Sequence, residues 1–102
     1  MNTQDHGRTL LTIVCEKLVA PHLIADLERL GVPGWTATPA HGAGHSGLHE
    51  GSWENDANQR IEVVCGAELA RTLSDHLLAN WYDNYRVVCW LTDVSVLRPQ
   101  RF

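Results

Sequence analysis

The chain has 102 residues, of which 44% are hydrophobic, and a formal net charge of −4. This length and composition predict one globular domain and exclude a disordered chain. The eight Lys and Arg form no run, so the chain lacks the basic face that nucleic-acid binding requires. No apolar stretch approaches the ~18–20 residues of a membrane span, and the first eight residues are polar, so we expect a cytoplasmic protein.

The first part of the chain predicts a strand, a helix and a second, short strand. Residues 8–15 predict a strand, because Leu10, Leu11, Ile13 and Val14 make a near-continuous apolar run, as in a strand covered on both faces. Pro21 suits the first turn of a helix, and the leucines and isoleucine that follow share one helical stripe. Gly31 predicts the end of that helix, because glycine adopts the conformation that stops one. Residues 34–38 are β-prone.

A segment of different character follows at residues 39–58. It holds four glycines, three histidines and little to bury, namely Gly42, Gly44, Gly47 and Gly51 with His41, His45 and His49. Loops of about twenty residues inside a compact domain are uncommon and are usually functional or mobile. We therefore predict a flexible, functional loop at about residues 39–58.

The second half of the chain repeats this order of elements. Residues 59–65 predict a strand with two alternating faces, and residues 67–81 predict a helix. A turn at Asp83-Asn84 leads to a predicted strand at 86–91 and a short extension at 94–97. The three cysteines, Cys15, Cys65 and Cys89, form no CxxC pair and are predicted to be small buried hydrophobes.

This order predicts an α+β fold, a ferredoxin-like βαβ-βαβ sandwich with a long loop between strands 2 and 3. The whole chain, residues 1–102, is predicted to be a single domain. Two helices would cover one face of the antiparallel sheet, and the other face would need a partner. Trp90 on the last strand either covers that face in an oligomer or lies in the core, and the sequence leaves both open.

Three segments taken together resemble the PII superfamily. They are Gly34-Trp35-Thr36, then Asn-Gln-Arg-Ile-Glu-Val-Val at 58–64, then Trp-Tyr-Asp-Asn-Tyr at 81–85 leading to Val-Ser-Val-Leu-Arg-Pro at 94–99. Their order and spacing across residues 8–102 are most similar to the PII-like branch linked to bicarbonate transport and carboxysomes. The resemblance implies a homotrimer with adenine-nucleotide sites in the clefts between subunits. It also implies that the long loop, called the T-loop, docks a protein target.

The ligands implied by this resemblance are adenine nucleotides and bicarbonate. The loop contains no Tyr, and no Gln precedes Gln59, so we do not expect sensing of 2-oxoglutarate. His45, Ser46 and His49 stand where related loops carry Ser or Arg. A triphosphate would meet less positive charge here, so we expect AMP or ADP to bind in preference to ATP.

The resemblance also assigns candidate nucleotide-binding residues by position. The strand end at 36–38 resembles the adenine edge, and Glu62 resembles the glutamate near the ribose. Arg86 stands where relatives place a phosphate-binding lysine, and Arg98 and Arg101 resemble the basic residues that close the cleft from the neighbouring subunit. A guanidinium suits phosphate because its planar fork binds two oxygens. The predicted set is Thr36, Ala37, Thr38, Gly42, Gly44, Glu62, Val63, Val64, Arg86, Arg98 and Arg101.

Bicarbonate is a small, planar, singly charged anion. Glycines in the loop let backbone N–H groups converge on such an anion, and an arginine would complete the site. The first choice for that arginine is Arg60. The predicted bicarbonate set is Gly42, Gly44, His45, Ser46 and Arg60.

Metal binding is the alternative function that the loop offers. His41, His45 and His49 recur every four residues, and histidine is the commonest transition-metal ligand. The interspersed glycines oppose the helix that would align these side chains, so we predict no metal site.

No Ser-His-Asp order, paired carboxylate site or P-loop stands out, so we predict a protein that is not an enzyme. The protein target, a transporter or a carboxysome-related component by resemblance, is not identified by the sequence.

Overall fold

The computed structural model describes residues 5–42 and 58–102. The elements in chain order are strand β1 (Gly7–Glu16), helix α1 (Ala20–Arg29), strand β2 (Thr36–Ala40), strand β3 (Asn58–Cys65), helix α2 (Ala67–Asn80), strand β4 (Val87–Ser95) and a short 3-10 helix (Pro99–Arg101). The strands form one antiparallel sheet in the order β2-β3-β1-β4. This architecture confirms the predicted ferredoxin-like α+β fold. No helix in the described segments is long and apolar enough to cross a bilayer.

The core lies between the two helices and one face of the sheet. Alternating residues of β1 and β3 on that face are buried against the apolar stripes of α1 and α2. The fully or almost fully buried side chains include Leu11, Ile13, Cys15, Leu23, Leu27, Ile61, Val63, Cys65, Leu73 and Leu77. Burial, with the nearby charge of Glu16, raises the pKa of the Cys15 thiol to about 11. Cys15 and Cys65 are therefore buried hydrophobes as predicted, whereas Cys89 is only half-buried.

Two strands differ from the sequence-based prediction. Strand β2 lies two residues further along the chain than predicted, because its whole length pairs with β3. Pro39 is tolerated in β2 because this is an edge strand, where a missing N–H need not break the ladder. Strand β4 is one continuous element, where the sequence predicts a strand and a separate extension. Its pairing with β1 continues through Thr92 and Asp93 and holds the polar middle in the sheet.

Helix α1 ends where the sequence predicts. Gly31 follows its last turn with a φ of 91°, in the left-handed region that favours glycine. The Gly31 N–H donates to the carbonyl of Glu28 at 3.1 Å, which satisfies one of the last carbonyls of the helix. A side chain at this position would be strained by the backbone angle alone.

Asp26 joins α1 to the far end of α2. Its carboxylate accepts hydrogen bonds from His76 Nε2 and, at 3.0 Å, from Trp81 Nε1, and it pairs with Arg29 on its own helix. Burial alone would raise the pKa of Asp26, but these hydrogen bonds outweigh burial and lower the pKa from 3.8 to about 2.

We expect this network to make stability depend on pH. The pKa of Asp26 is lower in the folded chain than in the unfolded chain, so its contribution is present above pH 3.8 and is lost as the pH falls to about 2. Asp26→Asn should lower the free energy of unfolding at pH 7 by roughly 1–3 kcal/mol. It should also flatten the decline in stability between those two pH values, which urea unfolding measures. The exposed Asp75→Asn is the matched control. An Asp26→Asn chain with the wild-type pH profile would contradict this account.

Candidate functional site

The face of the sheet opposite the helices, here called the open face, carries most of the predicted adenine and ribose residues. In the ladder between β2 and β3, Thr36 pairs with Glu62 and Thr38 pairs with Arg60. Val64 follows on the same face of β3, because side chains two residues apart share a face. The two threonines are exposed, and Glu62 and Val64 are half-buried. The structure thus brings these predicted residues together at the β2 edge of the sheet.

Ala37 and Val63 of the predicted set face the helix side instead. Ala37 packs against the core, and the Val63 side chain is fully buried in it. These two residues can therefore contribute only backbone groups to an open-face site. The β2 ladder starts opposite Glu62 and leaves the backbone of Val63 and Val64 without a β2 partner. A strand edge of this kind offers donors and acceptors to a flat, polar-edged ring such as adenine.

Arg60, the predicted bicarbonate residue, contacts the predicted ribose residue. Its Nη2 donates to Glu62 Oε2 at 3.3 Å, and the two side chains are 49% and 35% exposed. An ion pair this exposed contributes little to stability. A ligand that competes for either partner can open it without disturbing the fold.

Arg86 and Gly42 lie at the end of the sheet next to the predicted loop. Gly42 lies two residues after the end of β2 and has open space where a Cβ would stand. Arg86 precedes Val87, which pairs with Cys15 at the same end of the sheet. Its terminal nitrogens Nη1 and Nη2 are buried. The predicted anion-binding groups are glycine amides and arginines. This end of the sheet therefore carries one of each, the amide of Gly42 and the side chain of Arg86.

The turn before Arg86 is held by its own aromatic residues. The rings of Trp81 and Tyr85 lie 4.9 Å apart between centroids, and the Tyr85 N–H donates to the Trp81 carbonyl at 3.1 Å. Tyr82 Oη accepts from the Cys89 N–H at 2.9 Å, which ties the turn to β4. Burial, together with a hydrogen bond to the Cys89 thiol, raises the pKa of Tyr82. The motif at 81–85 therefore positions Arg86.

Arg98 and Arg101 follow β4, which is the edge strand farthest from Thr36 on β2. They flank Pro99 in the tail after β4, and both are exposed. Strands β2 and β4 are the two edges of the sheet, separated by three strand spacings or ~14 Å. The last residue of β4, Ser95, pairs with the first residue of β1, which places the tail at one corner of the sheet. The tail that carries these arginines therefore begins at the strand farthest from the β2 edge.

The structural environment of two further residues was not predicted from the sequence. Asn58 is only 2% exposed, although it stands where the predicted loop ends. Arg8 Nη2 donates to the carbonyl of Pro99, 91 positions away, at 2.8 Å. No local sequence pattern indicates the burial of Asn58 or the hydrogen bond of Arg8. Both depend on which distant segments the sheet brings together.

A separate cavity of about 550 Å³ lies on the helix side of β2, between that strand and α1. It is lined mostly by apolar side chains that include Ile24 and Trp35, and Trp35 Nε1 donates to Glu28 Oε2 at 2.9 Å. Ala37 lines this cavity and Thr36 does not, so the cavity is distinct from the open-face site.

Several predicted loop residues lie outside the described residues, namely Gly44, His45, Ser46 and His49. Over 5–42 and 58–102, no group of three or more His, Cys, Asp and Glu side chains is arranged to hold a metal ion. His41, the one loop histidine in the described ranges, is exposed at the end of β2. The histidine-based alternative therefore finds no support in this part of the chain.

The fold and its comparisons define a class of small regulatory proteins. A family model described as nitrogen regulatory protein P-II matches residues 8–101, nearly the whole chain. The chain therefore belongs to the P-II family of nitrogen regulatory proteins, which confirms the resemblance drawn from its three segments. No curated protein sequence matches the chain.

Solved structures agree with this assignment. A PII-like signaling protein from Thermus thermophilus is 32% identical, with a TM-score of 0.78, over 93% of this chain and 94% of that one. CPII from Thiomonas intermedia, solved bound to ADP and bicarbonate, is 27% identical, with a TM-score of 0.79, over 94% of each chain. The GlnK-ATP complex of B. subtilis is 15% identical, with a TM-score of 0.52 over 91% of this chain and 86% of that one, and shares the fold alone.

Proposed function

We propose that this protein is a PII-like regulator that binds an adenine nucleotide and bicarbonate in clefts between the subunits of a homotrimer. The observation that carries the proposal is the similarity to CPII of Thiomonas intermedia, which was solved with ADP and bicarbonate. The open-face cluster of Thr36, Glu62 and Val64 beside a free edge of β3 supports an adenine and ribose site.

The separation of the predicted residues supports a cleft shared between subunits. Thr36 and Glu62 lie at one edge of the sheet, and the tail with Arg98 follows the strand at the other edge. In the proposed trimer, a neighbouring subunit supplies the tail arginines to this edge. The open face supports the same assembly, because Val88 and Trp90 there are 49% and 47% exposed. Apolar side chains grouped on one face commonly mark a surface that an assembly buries.

We infer a preference for AMP or ADP over ATP. The loop carries His45, Ser46 and His49, and it contains no arginine between Pro39 and Asn58. The phosphates would then depend on Arg86, on Arg98 and Arg101 of a neighbour, and on the amides of Gly42 and Gly44. These groups suit one or two phosphates better than three.

We propose that the chain signals by binding and not by catalysis. The P-II family description names a regulatory protein. The loop at 39–58 would report the state of the nucleotide and bicarbonate sites to a cytoplasmic protein partner. Following the resemblance, that partner is a bicarbonate transporter or a carboxysome-related protein. A pull-down with and without ADP and bicarbonate would identify it.

Mass and ligand binding, measured on one purified sample, test the proposal. Ultracentrifugation should give three times the chain mass of 11.4 kDa. Calorimetry should give one ADP per subunit, with AMP bound comparably and ATP more weakly. A monomer, or titrations with ADP and AMP that release no heat at several temperatures, would refute the proposed function.

Arg60→Ala should impair bicarbonate binding and spare ADP binding. The arginine would supply the cation for the anion, and a hydrogen bond to a charged group contributes enough that its loss weakens binding by about 10-fold or more. Titration with bicarbonate at saturating ADP measures this effect. Arg71→Ala, an exposed arginine on α2, is the control for lost charge. Equal bicarbonate affinity in Arg60→Ala and wild type would remove Arg60 from the site.

A further inference from the structure

The start of the chain holds the C-terminal tail through two side chains. His6 Nδ1 donates to the Val96 carbonyl at 2.7 Å, and the Val96 N–H donates to the His6 carbonyl at 2.9 Å. Arg8 Nη2 donates to the Pro99 carbonyl at 2.8 Å. These contacts join residues 90 and 91 positions apart, so the position of the tail depends on residues at the opposite end of the sequence.

The donors of Arg8 are directed at main-chain carbonyls. Its Nη1 donates to Gly7 at 2.7 Å and to Asp5 at 3.2 Å, while its Nη2 reaches Pro99. The side chain is half-buried. A guanidinium engaged in this way anchors backbone and is poorly placed to meet a phosphate itself.

The carbonyl that Arg8 holds also closes the short helix of the tail. Pro99 O accepts from the Phe102 N–H at 3.1 Å, and the Arg101 N–H donates to the Arg98 carbonyl at 3.0 Å. Pro99 is buried, whereas Arg98 and Arg101 are exposed. The anchored turn therefore presents two arginines to solvent on a backbone that is fixed beneath them.

We propose that Arg8 is a positioning residue for the nucleotide site, an inference that rests on the proposed function. It orders the tail so that Arg98 and Arg101 are ready to meet the phosphates of a nucleotide bound at the edge of a neighbouring subunit. A segment ordered before binding loses less conformational entropy when the ligand arrives, so its arginines bind more tightly. Arg8 thus raises affinity without touching the ligand.

Calorimetry with ADP tests this role in Arg8→Gln. We expect binding about 5- to 20-fold weaker, the equivalent of ordering about one more residue on binding. Arg8→Lys should weaken binding by a similar factor, because one ammonium cannot span the Gly7 and Pro99 carbonyls as a guanidinium fork does. Adenosine, which has no phosphate, should bind Arg8→Gln and wild type equally.

A double-mutant cycle separates positioning from general damage. In a chain that already carries Arg98→Ala and Arg101→Ala, Arg8→Gln should have no further effect on ADP binding. Three results would each overturn the proposal: unchanged ADP affinity in Arg8→Gln, equal weakening in both backgrounds, or adenosine binding weakened as much as ADP binding.

Amide hydrogen exchange gives a second measurement that needs no nucleotide. The N–H groups of Arg101 and Phe102 should exchange faster in Arg8→Gln, while that of Leu11 in the core strand should not change. Unchanged exchange in the tail of a chain that binds ADP would overturn the role of Arg8 alone. A wild-type chain that binds no ADP would instead refute the proposed function, and the exchange rates would still decide whether Arg8 orders the tail.

Discussion

Replacing Arg98 and Arg101 together with alanine is expected to weaken ADP binding by at least roughly 100-fold. Each hydrogen bond between a guanidinium and a phosphate contributes ~1.5–3 kcal/mol, and both side chains are exposed and project from an anchored turn. AMP binding should weaken less, because AMP offers one phosphate fewer. Neither guanidinium lies in the core, so the free energy of unfolding and the mass of the proposed trimer should match those of wild type. Calorimetric titration measures the loss.

Arg71→Ala is the control for the loss of positive charge. Arg71 is exposed on α2, in the helix layer, and its charge is screened by salt at a distance. This variant should change ADP affinity by no more than about twofold. If the Arg98 and Arg101 double variant bound ADP as tightly as wild type, the tail would lie outside the nucleotide site. Arg86 would then be the one arginine that remains in the predicted nucleotide set.

Trp90→Glu is expected to convert the proposed trimer into monomers and to abolish measurable nucleotide binding. Trp90 lies on the open face, where it pairs with Thr12 of β1 and is 47% exposed in the single chain. In the proposed trimer the same position is packed, and a desolvated, unpaired carboxylate there would oppose association strongly. Because the helix-side core is untouched, the monomer should keep its secondary structure. Ultracentrifugation and circular dichroism measure these two results.

Leu78→Glu is the matched control for Trp90→Glu. Leu78 is 57% exposed on α2, so the change from an apolar side chain to glutamate is made on the helix layer instead of the open face. This variant should keep the wild-type mass and ADP affinity. A Trp90→Glu chain that remained trimeric would show that the open face is not the surface on which copies meet. A Trp90→Glu monomer that still bound ADP with wild-type affinity would show that the site needs only one chain.

The sequence alone predicted part of the candidate site. The alternation along residues 59–65 correctly separates Glu62 and Val64 from the buried Ile61 and Val63. The prediction of Val63 as a site residue beside Val64 did not use that alternation. In the structure the Val63 side chain is buried, so only its backbone can contact a ligand. The assignment of Arg86, Arg98 and Arg101 to one ligand remains a prediction, because it depends on a second copy of the chain.

The amino-acid sequence by itself determined the elements that depend on local periodicity. The strand at 59–65, the helix that ends at Gly31 and the helix that begins at Ala67 follow from alternation, helical stripes and a stop residue, which act between neighbours in the chain. The same local patterns also determined the order βαβ, loop, βαβ, and this order determined the ferredoxin-like fold.

Only the tertiary structure decided what depends on partners far away in the chain. The limits of β2 and the unbroken length of β4 follow from pairing with β3 and β1, whose ladders supply hydrogen bonds that local preference cannot foresee. The same register put Trp90 on the open face, a choice that the sequence had left undecided. The link between Arg8 and Pro99 joins two ends of the chain that become neighbours only when β1 and β4 pair. Contacts of this kind leave no mark on local sequence, because they are set by how the sheet is assembled.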